Sequence, residues 1–209
     1  VPLGVNVDRF TPVPAPASAP FTIGYFGRII PEKGLHLLCD AYHDLRERGA
    51  LEGCRIEVAG YLGPEHAAYW RSIEREIKAW GLADEIRYRG ELDLDHKVAF
   101  LQALDLYVVP AVYDDPKGIA LLEAMACGRP VLAYGRGGAL DTVKEGVSGL
   151  LFDAQTAESL AEAMRRFETE MEPGLDPERV AAHAQSFGPE QFRAGMWSAV
   201  RRMAPELGL

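Results

Sequence analysis

Two carboxylates and two cations in this 209-residue chain have the types and spacing for chemistry on a phosphorylated ligand. Glu123 stands as the one charge in Ile-Ala-Leu-Leu-Glu-Ala-Met-Ala-Cys, an apolar stretch that reads as a helix over 118–127. An uncompensated buried carboxylate is strongly unfavourable, so Glu123 requires a polar partner, either a buried arginine or a ligand. A helix starting at Gly118 aims its first amides and the positive end of its dipole at the loop holding Asp115, an arrangement suited to phosphate. The glycine also lets a ligand approach the main chain closely. The cations lie in Gly27-Arg28-Ile-Ile-Pro-Glu-Lys33-Gly34, whose glycine spacing is neither the dinucleotide fingerprint nor a P-loop. Arg28 offers a bidentate fork and Lys33 a compact point charge. A diphosphate would satisfy both, and so would neutralisation by Glu32 or another nearby acid.

Other combinations offer less. Asp114 and Asp115 are adjacent, so their side chains diverge in an extended loop, and no third ligand is spaced to join them around a metal. The histidines at 36, 43, 66, 96 and 183 show no metal-ligand spacing. Cys39, Cys54 and Cys127 lie in apolar segments without a Cys-x-x-Cys pairing and read as small core residues.

The elements that must position these groups follow from the pattern of the whole chain. Strands are expected at 21–26, 55–59, 85–89, 106–109, 130–133 and 149–152, and helices at 34–48, 65–80, 93–103, 118–127 and 140–145. Strands alternating with helices indicate right-handed βαβ crossovers, hence an α/β fold with a doubly wound, mostly parallel sheet. Helices at 157–169, 177–185 and 189–203 close the chain with apolar residues at helical spacing. In such sheets ligands sit beyond the carboxyl ends of the strands, where this chain places Gly27-Arg28, Gly60-Tyr61, Gly90-Glu91, Pro110 and Gly135.

A hydrophobic fraction of 48% with 25% charged residues is ordinary for one globular α/β domain. The net charge of -9 argues against bulk electrostatic binding to nucleic acid, so an anionic ligand must be held by local cations. The sequence has no run of 18 apolar residues and opens on a proline-rich stretch with the composition of a linker, as in a piece of something longer.

Gly27-Arg28 with Glu32-Lys33-Gly34, then Val58-Ala59-Gly60, Arg89-Gly90, Asp115 to Glu123 with Glu-Ala-Met-Ala-Cys-Gly-Arg-Pro-Val, and Glu145-Gly-Val-Ser-Gly-Leu-Leu-Phe152 together resemble the retaining glycosyltransferases of family 4, also called group 1. The resemblance runs in order over about residues 1–170, and the opening Gly4 to Pro12 resembles the segment joining the two lobes of those enzymes. It implies one Rossmann-like lobe of the GT-B architecture, the lobe that binds the nucleotide sugar. On that resemblance Arg28 and Lys33 bind the donor diphosphate, and Glu123 accepts hydrogen bonds from the ribose hydroxyls. Asp115 addresses hydroxyls of the transferred sugar, and the amides of Gly118, Ile119 and Ala120 face phosphate and sugar. Gly27 and Gly60 line the donor cleft, and the turn of Arg89, Gly90 and Leu92 lies where the family holds the base. Asp115-Pro116-Lys117-Gly118 departs from the usual Glu-Gly-Phe-Gly, so Lys117 adds a cation where an aromatic is common. Apart from the resemblance, the Gly-rich run from Gly135 to Gly138, with Arg136, falls near the cleft and reads either as a contact to the donor sugar or as a plain flexible turn.

These readings imply a linker over 1–20, a nucleotide-sugar-binding domain over 21–188 and a C-terminal helix over 189–209. The expected activity is transfer of a sugar from a UDP-, GDP- or ADP-linked donor with retention at the anomeric carbon. It needs no cofactor or metal, and this half alone would be inactive without an N-terminal acceptor domain. The competing expectation is a catalytically inactive nucleotide-binding or scaffolding module of the same fold. The resemblance further implies a cytoplasmic location with peripheral membrane contact through the other domain, and no nucleic-acid partner.

Overall fold

Short runs such as Thr-Ile-Gly-Tyr-Phe and Leu-Tyr-Val-Val are apolar on consecutive positions, as strands must be when both faces of their sheet are covered. In the computed structural model, which describes residues 8–14, 20–115, 118–171 and 174–204, they become six strands. These are β1 (Thr22–Phe26), β2 (Arg55–Ala59), β3 (Ile86–Tyr88), β4 (Leu106–Val109), β5 (Val131–Tyr134) and β6 (Gly149–Phe152). All neighbours pair in parallel, in the order β3-β2-β1-β4-β5-β6. The chain therefore winds outward in both directions from the β1–β4 pair, and the doubly wound sheet expected from the sequence is what forms.

Helices cover both faces. On one face α1 (Leu35–Glu47), α2 (Ala67–Ala79) and α6 (Ala157–Arg166) pack a core that includes Leu38, Tyr42, Ile73, Leu160 and Met164 against Ile23, Tyr25, Ile56 and Val108. On the other, α3 (Leu94–Gln102), α4 (Ile119–Ala126), α5 (Gly138–Thr142) and α7 (Pro177–Gln185) enclose Leu101, Leu122, Met125, Val180 and Ala184. The last helix, α8 (Pro189–Met203), carries no buried residue.

Several boundaries depart from expectation for local reasons. The turn Pro64–His66 is a 3-10 segment, so α2 starts at Ala67. Arg89 still donates its backbone N–H to Val58, at 2.8 Å, but β3 itself ends at Tyr88. The helix expected over 140–145 forms two residues earlier, because Gly137 turns the chain with φ 56 and Val143 is already extended. Beyond Arg166 the regular helix gives way to a π turn, Phe167–Met171. Residues 8–14 lie against the body of the domain. Phe10 is buried in the second core, Gln102 donates to the Thr11 carbonyl at 2.9 Å, and Arg129 donates to the Val13 carbonyl at 2.8 Å.

Candidate functional site

The carboxyl ends of β1 and β4 diverge at the point where strand order reverses, which leaves a crevice in any sheet of this topology. Here it is a cavity of about 440 Å³ lined by Gly27, Lys33, Lys97, Tyr113, Asp115, Ile119, Ala120 and Glu123, among others. Gly27 follows β1, Lys33 stands just before α1, Lys97 is on α3, and Glu123 occupies the second turn of α4. Gly118, at φ 60, caps α4 and turns its first residues, Ile119 and Ala120, toward the cavity, while Asp115 Oδ1 accepts from the Gly118 N–H at the long limit of 3.5 Å.

Two ion pairs cross this space. The Lys33 ammonium lies 3.2 Å from Asp115 Oδ2 and donates a short hydrogen bond to the Tyr113 hydroxyl, which itself donates to Asp115 at 3.3 Å. Burial opposes the Lys33 charge, but Tyr113 and Asp115 outweigh it and hold the ammonium above the ordinary lysine pKa. The second pair joins Lys97 Nζ to Glu123 Oε2 at 2.6 Å, with side chains 17% and 13% exposed. Lys97 also sits 4.9 Å from the centre of the Phe26 ring. Below them Tyr107 is held neutral by burial, with the Glu123 and Asp115 charges adding to the effect, and its hydroxyl donates to the Phe26 carbonyl at 2.9 Å. The partner required by Glu123 is thus a lysine from α3, and among the described residues no arginine forms an ion pair with it. Lys97 carries a sequence signal, since it falls between Leu94 and Leu101 on one helical stripe.

The remaining residues singled out in the sequence lie elsewhere. Arg28, next to Gly27 in sequence, is exposed, is not among the residues that line the cavity, and forms no ion pair among the described residues. Arg89 does not point a free guanidinium at a ligand: it grips both oxygens of the buried Glu57, one at 2.8 Å. Gly60 and Gly90 join backbone to backbone at 2.9 Å outside the cavity lining, as does Leu92 lie outside it. At Gly60, with φ 132, an added Cβ would stand 2.0 Å from the Gly27 carbonyl oxygen, so its glycine lets the ends of β1 and β2 touch. Gly118 lines a smaller recess beside the cavity with Tyr113, Asp115, Tyr134 and Arg136. Lys117 lies outside the described residues. Among the described residues no cluster of three His, Cys, Asp or Glu side chains is placed to hold a metal.

A family model described as glycosyl transferases group 1 matches residues 8–184. The chain belongs to the group 1 glycosyl transferases. Among curated relatives, the D-inositol 3-phosphate glycosyltransferase of Geodermatophilus obscurus is 31% identical over 175 residues, covering 79% of this chain and 39% of that protein. A GDP-mannose-dependent alpha-(1-6)-phosphatidylinositol monomannoside mannosyltransferase of Mycobacterium tuberculosis H37Rv is 31% identical over 180 residues, covering 78% of this chain and 45% of the relative. The chain therefore spans less than half the length of these two relatives. Among solved structures, sucrose-phosphate synthase from Thermosynechococcus elongatus superposes with a TM-score of 0.80 at 28% identity, covering 97% of this chain and 52% of that one. The group 1 chain described here has the Rossmann-like fold of one lobe of GT-B glycosyltransferases. Among its described residues no helix is long and apolar enough to cross a membrane.

Proposed function

We propose that this lobe binds the nucleotide-sugar donor of a glycosyltransferase that transfers a hexose with retention of anomeric configuration. The observation that carries the reading is one cavity at the strand-order switch point that gathers Lys33, Asp115, Glu123 and the start of α4, with the exposed Arg28 following its lining residue Gly27 in the chain. The fit is chemical. Breaking the anomeric bond puts negative charge on the departing diphosphate, and fixed cations together with the α4 amides stabilise that charge where it develops. Glu123, as an acceptor-only carboxylate, suits a pair of ribose hydroxyls, and Asp115 suits hydroxyls of the transferred sugar. In this reading the acceptor attacks from the face the diphosphate leaves, the departing phosphate helps take its proton, and no nucleophile is required from this lobe. A GDP-mannose-dependent relative supports a nucleoside-diphosphate sugar as the ligand class. The acceptor would be bound by a second, N-terminal lobe, without which this half is inactive.

The ion pairs that already satisfy Asp115 and Glu123 favour the second reading, a nucleotide-binding module without activity. Titration calorimetry with UDP, GDP and ADP tests the donor site. Selective binding of one of them, weakened by about 1–3 kcal/mol in Glu123→Gln as expected for lost hydrogen bonds to a charged group, supports it. Arg28→Ala should cost more affinity for the diphosphate than for the matching nucleoside. No binding of any of the three refutes the proposal.

A further inference from the structure

One further cation stands outside the lining of the main cavity. Arg136 follows β5 in the turn Gly135-Arg136-Gly137-Gly138 and lines the recess formed by Tyr113, Asp115, Gly118 and Tyr134, which shares Tyr113 and Asp115 with the main cavity. Its guanidinium forms no ion pair among the described residues.

The turn that carries it is fixed to the acid loop. The Gly138 N–H donates to the Asp115 carbonyl at 2.7 Å. Gly137 holds φ 56 and ψ -138, a conformation that only glycine adopts readily, and an added Cβ would stand 2.3 Å from the Asp115 carbonyl oxygen. The buried Thr142 then donates its hydroxyl to the Gly138 carbonyl at 2.8 Å, which ties the turn to α5. The backbone of Arg136 is thereby held at a set place relative to Asp115, as a residue on a loose surface loop would not be.

From this geometry we infer that Arg136 recognises an anionic oxygen group, carboxylate or phosphate, borne by the sugar being transferred or by the acceptor that meets it. The inference rests on the donor-site reading above. A neutral hexose is served by hydroxyl contacts, whereas an acidic one adds a negative charge beside an Asp115 whose charge Lys33 already takes up, so it calls for a further cation of its own. Arg136, with a planar fork that matches both oxygens of a carboxylate or phosphate, supplies that cation.

The test compares the chain with Arg136→Gln and Arg136→Lys by calorimetry, using UDP, UDP-glucose and UDP-glucuronate, and GDP, GDP-mannose and GDP-mannuronate. An acidic sugar as the source gives at least tenfold tighter binding of the uronate than of the neutral sugar nucleotide. Arg136→Gln then loses that preference, and Arg136→Lys keeps part of it. An anionic acceptor as the source gives no uronate preference, but inorganic phosphate binds to the nucleotide-loaded chain and fails to bind to the loaded Arg136→Gln variant. Absence of both effects overturns the inference, as does an Arg136→Gln loss that is equal for bare diphosphate and uronate, which would make Arg136 a diphosphate ligand. Failure of every nucleotide to bind refutes the donor site itself, a separate result.

Discussion

Replacing Lys97 by methionine should expose how much the lobe depends on keeping Glu123 paired. Lys97→Met preserves the length of the apolar stem, removes the ammonium 2.6 Å from Glu123 Oε2, and leaves a carboxylate only 13% exposed on an apolar helix. Removing one partner of a fully buried pair costs about 3–5 kcal/mol. The pair here borders an open cavity of about 440 Å³, so water can reach the orphaned carboxylate and the cost should be roughly half that, about 2 kcal/mol. For a domain of this size each kcal/mol moves the melting temperature by about 2–4 °C, so thermal unfolding at neutral pH should drop by roughly 4–8 °C. The double variant Lys97→Met with Glu123→Gln has no charge left to strand and should recover more than half of the loss. A single variant that melts within about 1 °C of the parent, or a double variant no better than the single, would refute the account of Glu123 as a charge that must be compensated.

Two further outcomes follow from pKa shifts. Burial, with some help from Glu168, pushes the Cys54 thiol up to about 11, and burial pushes Cys127 up to about 12. Thiol reagents should therefore label the native chain slowly at pH 8 and about tenfold faster for each pH unit toward 10, and rapid labelling of either at pH 8 would contradict this. The Arg46 fork and the Tyr42 hydroxyl outweigh burial and hold Glu85 below its ordinary carboxylate value. A lowered folded pKa stabilises above the unfolded value and loses that contribution as pH falls through the folded one. Glu85→Gln should thus be less stable than the parent at pH 7, with the gap narrowing in urea melts as pH falls through the lowered folded pKa, and a pH-independent gap would rule the mechanism out.

What the sequence disclosed depended on range. The strand-helix alternation is a local signal, and the six parallel strands and most helices followed from it. The α4 segment was legible for the same reason, because one acid among apolar residues is conspicuous within a single helix. Pairings between distant elements were not legible. Nothing local to Arg89 reveals that β2 brings Glu57 beneath it, and nothing near Glu123 names Lys97, which comes from another helix. The start of α5 was missed because it is set by the φ of Gly137, and that angle is imposed by contact with the Asp115 loop. Phe10 read as part of a linker because its proline-rich neighbours mask the slot that receives it.

That slot bears on how the lobe can be cut. Arg129 is almost wholly enclosed, and its two donated bonds end on Val13, at 2.8 Å, and on Gln102, at 2.6 Å. A fragment begun at residue 20 would keep every strand, yet it would open a hole where the Phe10 ring sits and strip a guanidinium of one of its two acceptors. The smallest self-sufficient unit of this lobe is therefore longer at its front than the sheet alone would indicate, and the strip over residues 8–14 belongs to it as a sealing edge.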